Sequence, residues 1–270
     1  MRTDPSAAMT LLTRLGFAAR GLLYLVIGIL VLQTGRTEDP SGALGVVAEG
    51  GGRMLLILMI AGFLAYGLWR LSDAAFNIER HSSDGRGMRE RIGAAVSGIV
   101  HLLLAWQAIS LLQGTRSSTG SGGSGAEEGA KTALQLPMGQ FALELAGLVL
   151  LGVGVAQLVK AWKADFLQHL EPGVARQPWA RWIGQGGFAA RGLVFLITGG
   201  FLVGAGLKER STEAGGMAEA LDWLTSPWDT IVAAGLLLFG LYCLIEARFR
   251  VLNDVPVGDL AHKARAKLPI

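Results

Sequence analysis

One six-residue motif occurs twice in this chain, each time at the start of a long apolar stretch. Residues 16–21 and residues 187–192 both read Gly-Phe-Ala-Ala-Arg-Gly. An arginine near the start of an apolar helix is costly, so its reuse in the same setting indicates a duplicated unit with a role for that charge. The repeat therefore constrains the architecture before any other feature is considered.

The apolar residues are concentrated in six stretches. Hydrophobic residues make up 51% of the 270 residues and charged residues only 17%, whereas soluble domains carry roughly 25% charged residues. Each stretch is about long enough to cross a hydrocarbon core of ~30 Å as a helix, and a soluble bundle would need more polar covering. The sequence predicts an all-α integral membrane protein with transmembrane helices near 15–34, 54–76, 92–113, 140–162, 184–206 and 229–249. No cleavage-site pattern follows the first stretch, so we expect it to stay in the membrane.

The distribution of Lys and Arg predicts the orientation of the chain. About 15 of these residues fall on the side that holds both termini and about six on the other, and an excess of positive charge marks the cytoplasmic side. The richer side holds Arg2, Arg14, Arg80, Arg86, Arg89, Arg91, Lys160, Lys163, Arg176, Arg181, Arg248, Arg250, Lys263, Arg265 and Lys267. The poorer side holds Arg36, Arg53, Arg116, Lys131, Lys208 and Arg210. We therefore expect a multi-pass protein of the bacterial plasma (inner) membrane with both termini in the cytoplasm.

The helices fall into three hairpin repeats, at residues 14–77, 91–165 and 182–252. The openings of the three first helices align without gaps at residues 16–21, 93–98 and 187–192, and the ends of the second helices align at residues 67–74, 154–161 and 240–247. Because each unit crosses the membrane twice, all three have the same orientation. This pattern predicts parallel repeats around a pseudo-threefold axis along the membrane normal, unlike the inverted repeats of many transporters.

The loops on the poorer side share a short pattern. The pair Ala-Leu precedes each second helix, at residues 43–44, 133–134 and 220–221, which predicts a short surface helix in every unit. Residues 114–130 are rich in Gly and Ser and are predicted to be a flexible external linker.

The first helices open with Ala-Arg-Gly followed by an aromatic residue at Tyr24, and the second helices end in Gly-Leu-Trp/Tyr-x-Leu-x-acid-Ala. These motifs resemble those of the bacterial membrane proteins grouped as domain of unknown function 1206. The resemblance covers nearly the whole chain and implies three tandem two-helix repeats. The middle unit departs from the pattern, with Ser97 in the arginine position and Lys160 in the acidic position. The family has no activity that the resemblance could transfer.

Charged residues recur at matching places in the first and third units. Arg20 and Arg191 follow the start of a first helix, and Asp73 and Glu246 precede the end of a second helix. An unpaired charge at the centre of a membrane helix costs at least about 2.5–3.5 kcal/mol, so we expect each Arg to pair with one of these acids, within a unit or between units. Three alternatives are snorkelling to the headgroups, an ion or solute path, and capture of a lipid headgroup.

The middle unit adds three residues to this candidate charge network. Ser97 and Lys160 replace the Arg and the acid, and His101 takes the place of Tyr24 and Phe195. Histidine titrates near neutral pH, which makes His101 a candidate functional group. The alternative is a packed histidine with one hydrogen bond. His101 has no second metal-binding residue at i+3 or i+4 on its helix, which argues against a metal or haem site.

The sequence contains no convincing catalytic set. There is no Ser/His/Asp arrangement, HExxH motif or P-loop, and the single Cys243 excludes an intrachain disulfide and a cysteine-based metal site. We therefore expect no enzyme, no catalytic residue, no metal and no cofactor. The favoured function is a structural or accessory membrane component, and the alternative is a small-solute or ion pathway along the pseudo-threefold axis. The expected partners are the lipid bilayer and a membrane protein, with no nucleic acid, and the oligomeric state stays open.

Overall fold

The computed structural model describes residues 5–35, 37, 39–77, 85–114 and 125–251. Several residues used in the orientation argument and most of the predicted linker lie outside the described residues. They are Arg2, Arg36, Arg80, Arg116, Lys263, Arg265, Lys267 and residues 115–124.

The described chain is helical, with one isolated bridge between Leu170 and Arg250 as its only β pairing. Six helices are long and apolar enough to cross a membrane, which confirms the prediction of six membrane-spanning segments. They are α1 (Pro5–Thr34), α3 (Arg53–Phe76), α4 (Gly85–Leu112), α6 (Gly139–Lys163), α8 (Pro178–Lys208) and α10 (Trp228–Phe249). We call the side of the molecule where α1 begins the N-terminal side and the other the opposite side.

A short helix precedes the second long helix of every unit, as the recurring Ala-Leu pair predicts. These helices are α2 (Pro40–Glu49), α5 (Gly125–Leu134) and α9 (Met217–Trp223). Asp39 caps α2 by accepting a hydrogen bond from the backbone N–H of Gly42 at 2.8 Å, a typical N-cap contact. Because residues 125–130 belong to α5, the linker is shorter than the range 114–130 predicted from composition. A four-residue helix, α7 (Pro172–Ala175), lies between α6 and α8.

The second helix of every unit packs against the first helix of the next unit, α10 returning to α1. The same pair of glycines makes the contact each time. A Cβ at Gly67 would lie 3.1 Å from the carbonyl oxygen of Gly98. The corresponding distances are 2.9 Å for Gly154 with Gly192 and 2.9 Å for Gly240 with Gly21. Small residues allow such close approach of membrane helices, so these positions require glycine.

The contacts within the units are not equivalent. In the first unit Gly62 packs against Ala19, and in the third unit Gly235 packs against Ala190 in the same way. The aligned residues of the middle unit are Val96 and Val149, each 52% exposed. In the part of the chain that the structure describes, α4 and α6 lack the close packing that joins α1 to α3 and α8 to α10. Two β-branched side chains replace a glycine–alanine contact there, and we call the space between α4 and α6 the middle-unit gap.

Candidate functional site

Arg20 lies in the interior of the bundle, against aromatic side chains from two other helices. Its Nη1 donates a hydrogen bond of 3.1 Å to the hydroxyl of Tyr66 on α3. Its guanidinium carbon lies 4.7 Å from the ring centroid of Phe239 on α10, within the range of a cation–π contact. Arg20 is partly exposed within the protein. Interior aromatic groups therefore hold this guanidinium.

Arg191 occupies the corresponding position in the third unit and uses the same kinds of contact. Its Nε donates a hydrogen bond of 3.1 Å to the hydroxyl of Tyr24 on α1. Its guanidinium carbon lies 4.6 Å from the ring centroid of Phe195 and 4.9 Å from that of Phe239. Both guanidinium groups thus lie against the ring of Phe239.

The carboxylates pair with arginines close to them in sequence, Asp73 within α3 and Glu246 with the residue that follows the end of α10. Asp73 Oδ2 lies 3.5 Å from Arg70 Nη1, and Glu246 Oε1 accepts a bond of 2.6 Å from Arg250 Nη1. Among the described residues Arg20 and Arg191 have no carboxylate at ion-pair distance. The predicted pairing of these two arginines with Asp73 and Glu246 is therefore wrong, both within a unit and between units.

The physical reason is the depth of the arginine. Helix α1 begins at Pro5, well before residue 15, so Arg20 lies farther from the helix start than the apolar stretch indicated. It is level with Tyr66, which stands seven residues before Asp73. At 1.5 Å per residue, the acid lies about 10 Å nearer the N-terminal side.

Lys160 of the middle unit lies near the two arginines. Its Nζ is 4.8 Å from the ring centroid of Phe188 on α8, and it lies within electrostatic range of Glu246, Arg20 and Arg191. Helical spacing places Lys160 on the same face of α6 as Val149, which is the face toward the middle-unit gap. The lysine therefore stands at the edge of the gap, on its N-terminal side.

His101 and Ser97 form a local contact on α4. His101 Nδ1 is 2.7 Å from the carbonyl oxygen of Ser97, and because a carbonyl can only accept, Nδ1 carries the proton. The imidazole packs on Tyr66 with ring centroids 4.3 Å apart and is buried. This environment matches the packed histidine with one hydrogen bond. It also places His101 beside the tyrosine that accepts the bond from Arg20.

The structure thus brings Arg20 and Arg191 to the ring of Phe239. Lys160 lies within electrostatic range of both arginines, and His101 packs on Tyr66. Sequence reasoning missed Tyr66 and Phe239, the residues that position the two arginines. The sequence contains a pattern that could have identified them. Tyr66 and Phe239 each stand directly before the glycine that contacts the neighbouring unit, and the middle unit has a valine at that position. The sequence pattern identifies Tyr24 as an aromatic position, but it does not show that its hydroxyl accepts a hydrogen bond from Arg191.

The fold and this interior define a multi-pass helical membrane protein built from three repeated units. The sequence profile of the family described as Domain of Unknown Function (DUF1206) matches three times, at residues 15–77, 92–164 and 186–250. The chain therefore belongs to that family, and each match falls inside one of the three predicted units.

A similar protein is found in Bacillus subtilis (strain 168), where it carries the name "Uncharacterized protein YxxB". It is 27% identical over 250 residues, which cover 88% of this chain and 90% of that protein. No solved structure matches the chain.

Proposed function

We propose that this protein is a structural or accessory component of the bacterial plasma membrane, and that it does not conduct solutes. In this proposal both termini are cytoplasmic, and the three units are arranged about a pseudo-threefold axis. The excess of Lys and Arg on one side supports the orientation. The three equivalent glycine contacts between successive units support the symmetry. The proposal includes a membrane-protein partner and neither an enzymatic reaction nor a nucleic acid.

The observation that carries the proposal is a fully buried apolar cluster in the half of the interior on the opposite side. Its members come from three long helices and two short ones, are at most 1% exposed and belong to one continuous core. They are Ile27, Leu44, Leu56, Leu221 and Leu236. A permeation path needs polar groups or water along its length, and this apolar cluster supports a closed interior.

A solute or ion pathway is the second candidate. It is favoured by the charges of Arg20, Arg191, Lys160 and Glu246, which act on one another in the interior. These groups lie only on the N-terminal side of the apolar cluster. A pathway would therefore require a second conformation in which α2 and α9 withdraw Leu44 and Leu221 from the core.

Ion flux into proteoliposomes separates the two candidates. We expect the wild type to pass K⁺, H⁺ and Cl⁻ no faster than protein-free vesicles. The double variant Leu44→Ala with Leu221→Ala, which loosens the apolar cluster, should behave in the same way. Leu207→Ala is the matched control, because Leu207 is 67% exposed at the end of α8. Flux through the wild type would contradict the proposal, and flux through the loosened variant alone would favour a gated pathway.

The accessory role is tested by thermal profiling of membrane proteins in cells with and without the gene. Its deletion should lower the melting temperature of a discrete set of membrane proteins, because a lost binding partner removes the stabilisation that binding supplies. Complementation with Gly152→Val should restore those temperatures, since a Cβ at Gly152 meets nothing within 4 Å. An unchanged melting profile would contradict the accessory role.

A further inference from the structure

We propose that Arg20 and Arg191, with Lys160 at the edge, form an intramembrane binding site for an oxyanion, either a carboxylate or a phosphate group. The site is independent of the accessory role, because it concerns which ligand the interior holds and not what the whole protein supports. It follows from the ring of Phe239, which the two arginines share, and from the gap that Lys160 borders.

Toward the described residues, the two arginines use only a small part of their hydrogen-bonding capacity. A guanidinium has five N–H donors, and Arg20 and Arg191 each donate one described bond, to a neutral tyrosine hydroxyl. Their contact with Phe239 is with the ring, which attracts a cation without neutralising it. Each guanidinium therefore keeps N–H donors for a bidentate acceptor, and carboxylate and phosphate are the groups that match the fork.

The nearby carboxylate does not satisfy these cations. Glu246 lies within electrostatic range of Arg20 and Lys160, but its oxygen is bonded to Arg250 at 2.6 Å. In the first and third units the position of Lys160 holds an acid paired with an arginine three or four residues away. The middle unit has a lysine there instead. The substitution adds a third positive charge to an interior whose desolvation makes uncompensated cations costly.

The middle-unit gap gives a bound anion access to the cluster. Val96 and Val149 stand where the other units have a close alanine–glycine contact, and α4 and α6 lack that packing in the described chain. Lys160 is on the face of α6 that borders the gap. An oxyanion can reach the cluster laterally as the headgroup of an acidic lipid, or from the N-terminal side as a soluble ion. The two sources share the same chemistry at Arg20 and Arg191.

Binding is measured with the full chain in phosphatidylcholine nanodiscs. One arm adds phosphatidylglycerol and counts retained lipid by native mass spectrometry, and the other adds inorganic phosphate or acetate and follows thermal stability. We expect Arg20→Gln and Arg191→Gln each to weaken binding at least tenfold. Arg210→Gln is the matched control, because Arg210 is exposed on the opposite side, and it should bind like the wild type. Equal binding by all variants would overturn the proposal.

A second measurement uses only the wild type, so it does not depend on how a variant folds. Phenylglyoxal modifies arginine side chains, and peptide mass spectrometry reports which ones react. The bound anion should protect Arg20 and Arg191 at least fivefold while leaving Arg210 reactive. Protection by phosphate in a neutral bilayer indicates a soluble oxyanion, and protection by phosphatidylglycerol alone indicates a lipid headgroup. Equal modification under all conditions would refute an anion site whether or not the protein conducts ions.

Discussion

Replacing Ala19 and Gly62 by valine would give the first unit the residues that the middle unit carries at the same positions. The Cβ of Gly62→Val would overlap the Cβ of Ala19 and stand 2.7 Å from the carbonyl oxygen of Leu15. Because the obstructing atoms include backbone, the helices themselves must move. Overpacking of this kind typically costs about 1–3 kcal/mol, which is roughly a 5- to 150-fold change in the unfolding constant. We expect α1 and α3 to separate as α4 and α6 do.

The separation is measured by electron spin resonance between labels at positions 33 and 54, near the ends of α1 and α3 on the opposite side. The only native cysteine, Cys243, is fully buried, so labelling is directed to the introduced cysteines. Denaturant titration in mixed micelles gives the free energy of unfolding of the variant and of the wild type. Gly152→Val is the control and should change stability by no more than about 0.5 kcal/mol, since its side chain meets open space. If the double variant keeps the wild-type distance between the two labels and is as stable as the control, residue size at these positions does not determine whether α1 packs against α3.

Three further predictions concern the interior and the orientation. Tyr66→Phe removes the hydroxyl that accepts a bond from Arg20, and should lower the free energy of unfolding by about 1.5–3 kcal/mol; an unchanged thermal midpoint would show that the bond contributes nothing. Glu246→Gln breaks the buried pair with Arg250 and should lower the free energy of unfolding by about 3–5 kcal/mol. Denaturant titration in detergent would measure this loss, and a loss under about 1 kcal/mol would contradict the stabilising role of the pair. Reporter fusions should be external after residues 45, 120 and 215 and cytoplasmic after residues 85, 172 and 262. An external report from the last of these would reverse the predicted orientation.

The helices were predictable because they depend on features that a sequence displays directly. Apolar length determines which segments can cross a bilayer, and the recurring Ala-Leu pair located the three short helices. Their burial was not predictable to the same degree: Leu44 and Leu221 are fully buried in the main core, whereas Leu134 lies at a smaller cluster. Among the described residues, the middle unit also lacks the close packing of its second helix against its first.

The partners of the arginines were not predictable from matching positions alone. Alignment shows that Arg20 and Arg191 are equivalent. The residues that lie opposite each arginine, however, depend on how far it is from the start of its own helix and on how the adjacent helices pack against that helix. Residues two helical turns from Asp73, not Asp73 itself, lie opposite Arg20. The middle-unit gap was predictable from the sequence. Val96 and Val149 align with the small residues that close the other two units.

The middle unit differs from its neighbours in two properties that are independent in sequence and meet in space. Valines replace the small residues that close a hairpin, and a lysine replaces an acid. Either change alone has a simple result: larger side chains loosen a helix contact, and a lone buried cation destabilises the bundle. On one face of α6 the two are combined, so the place where the bundle admits a ligand is also where its positive charge increases. Three equivalent units would have no preferred point of entry, and the changes in one of them supply it.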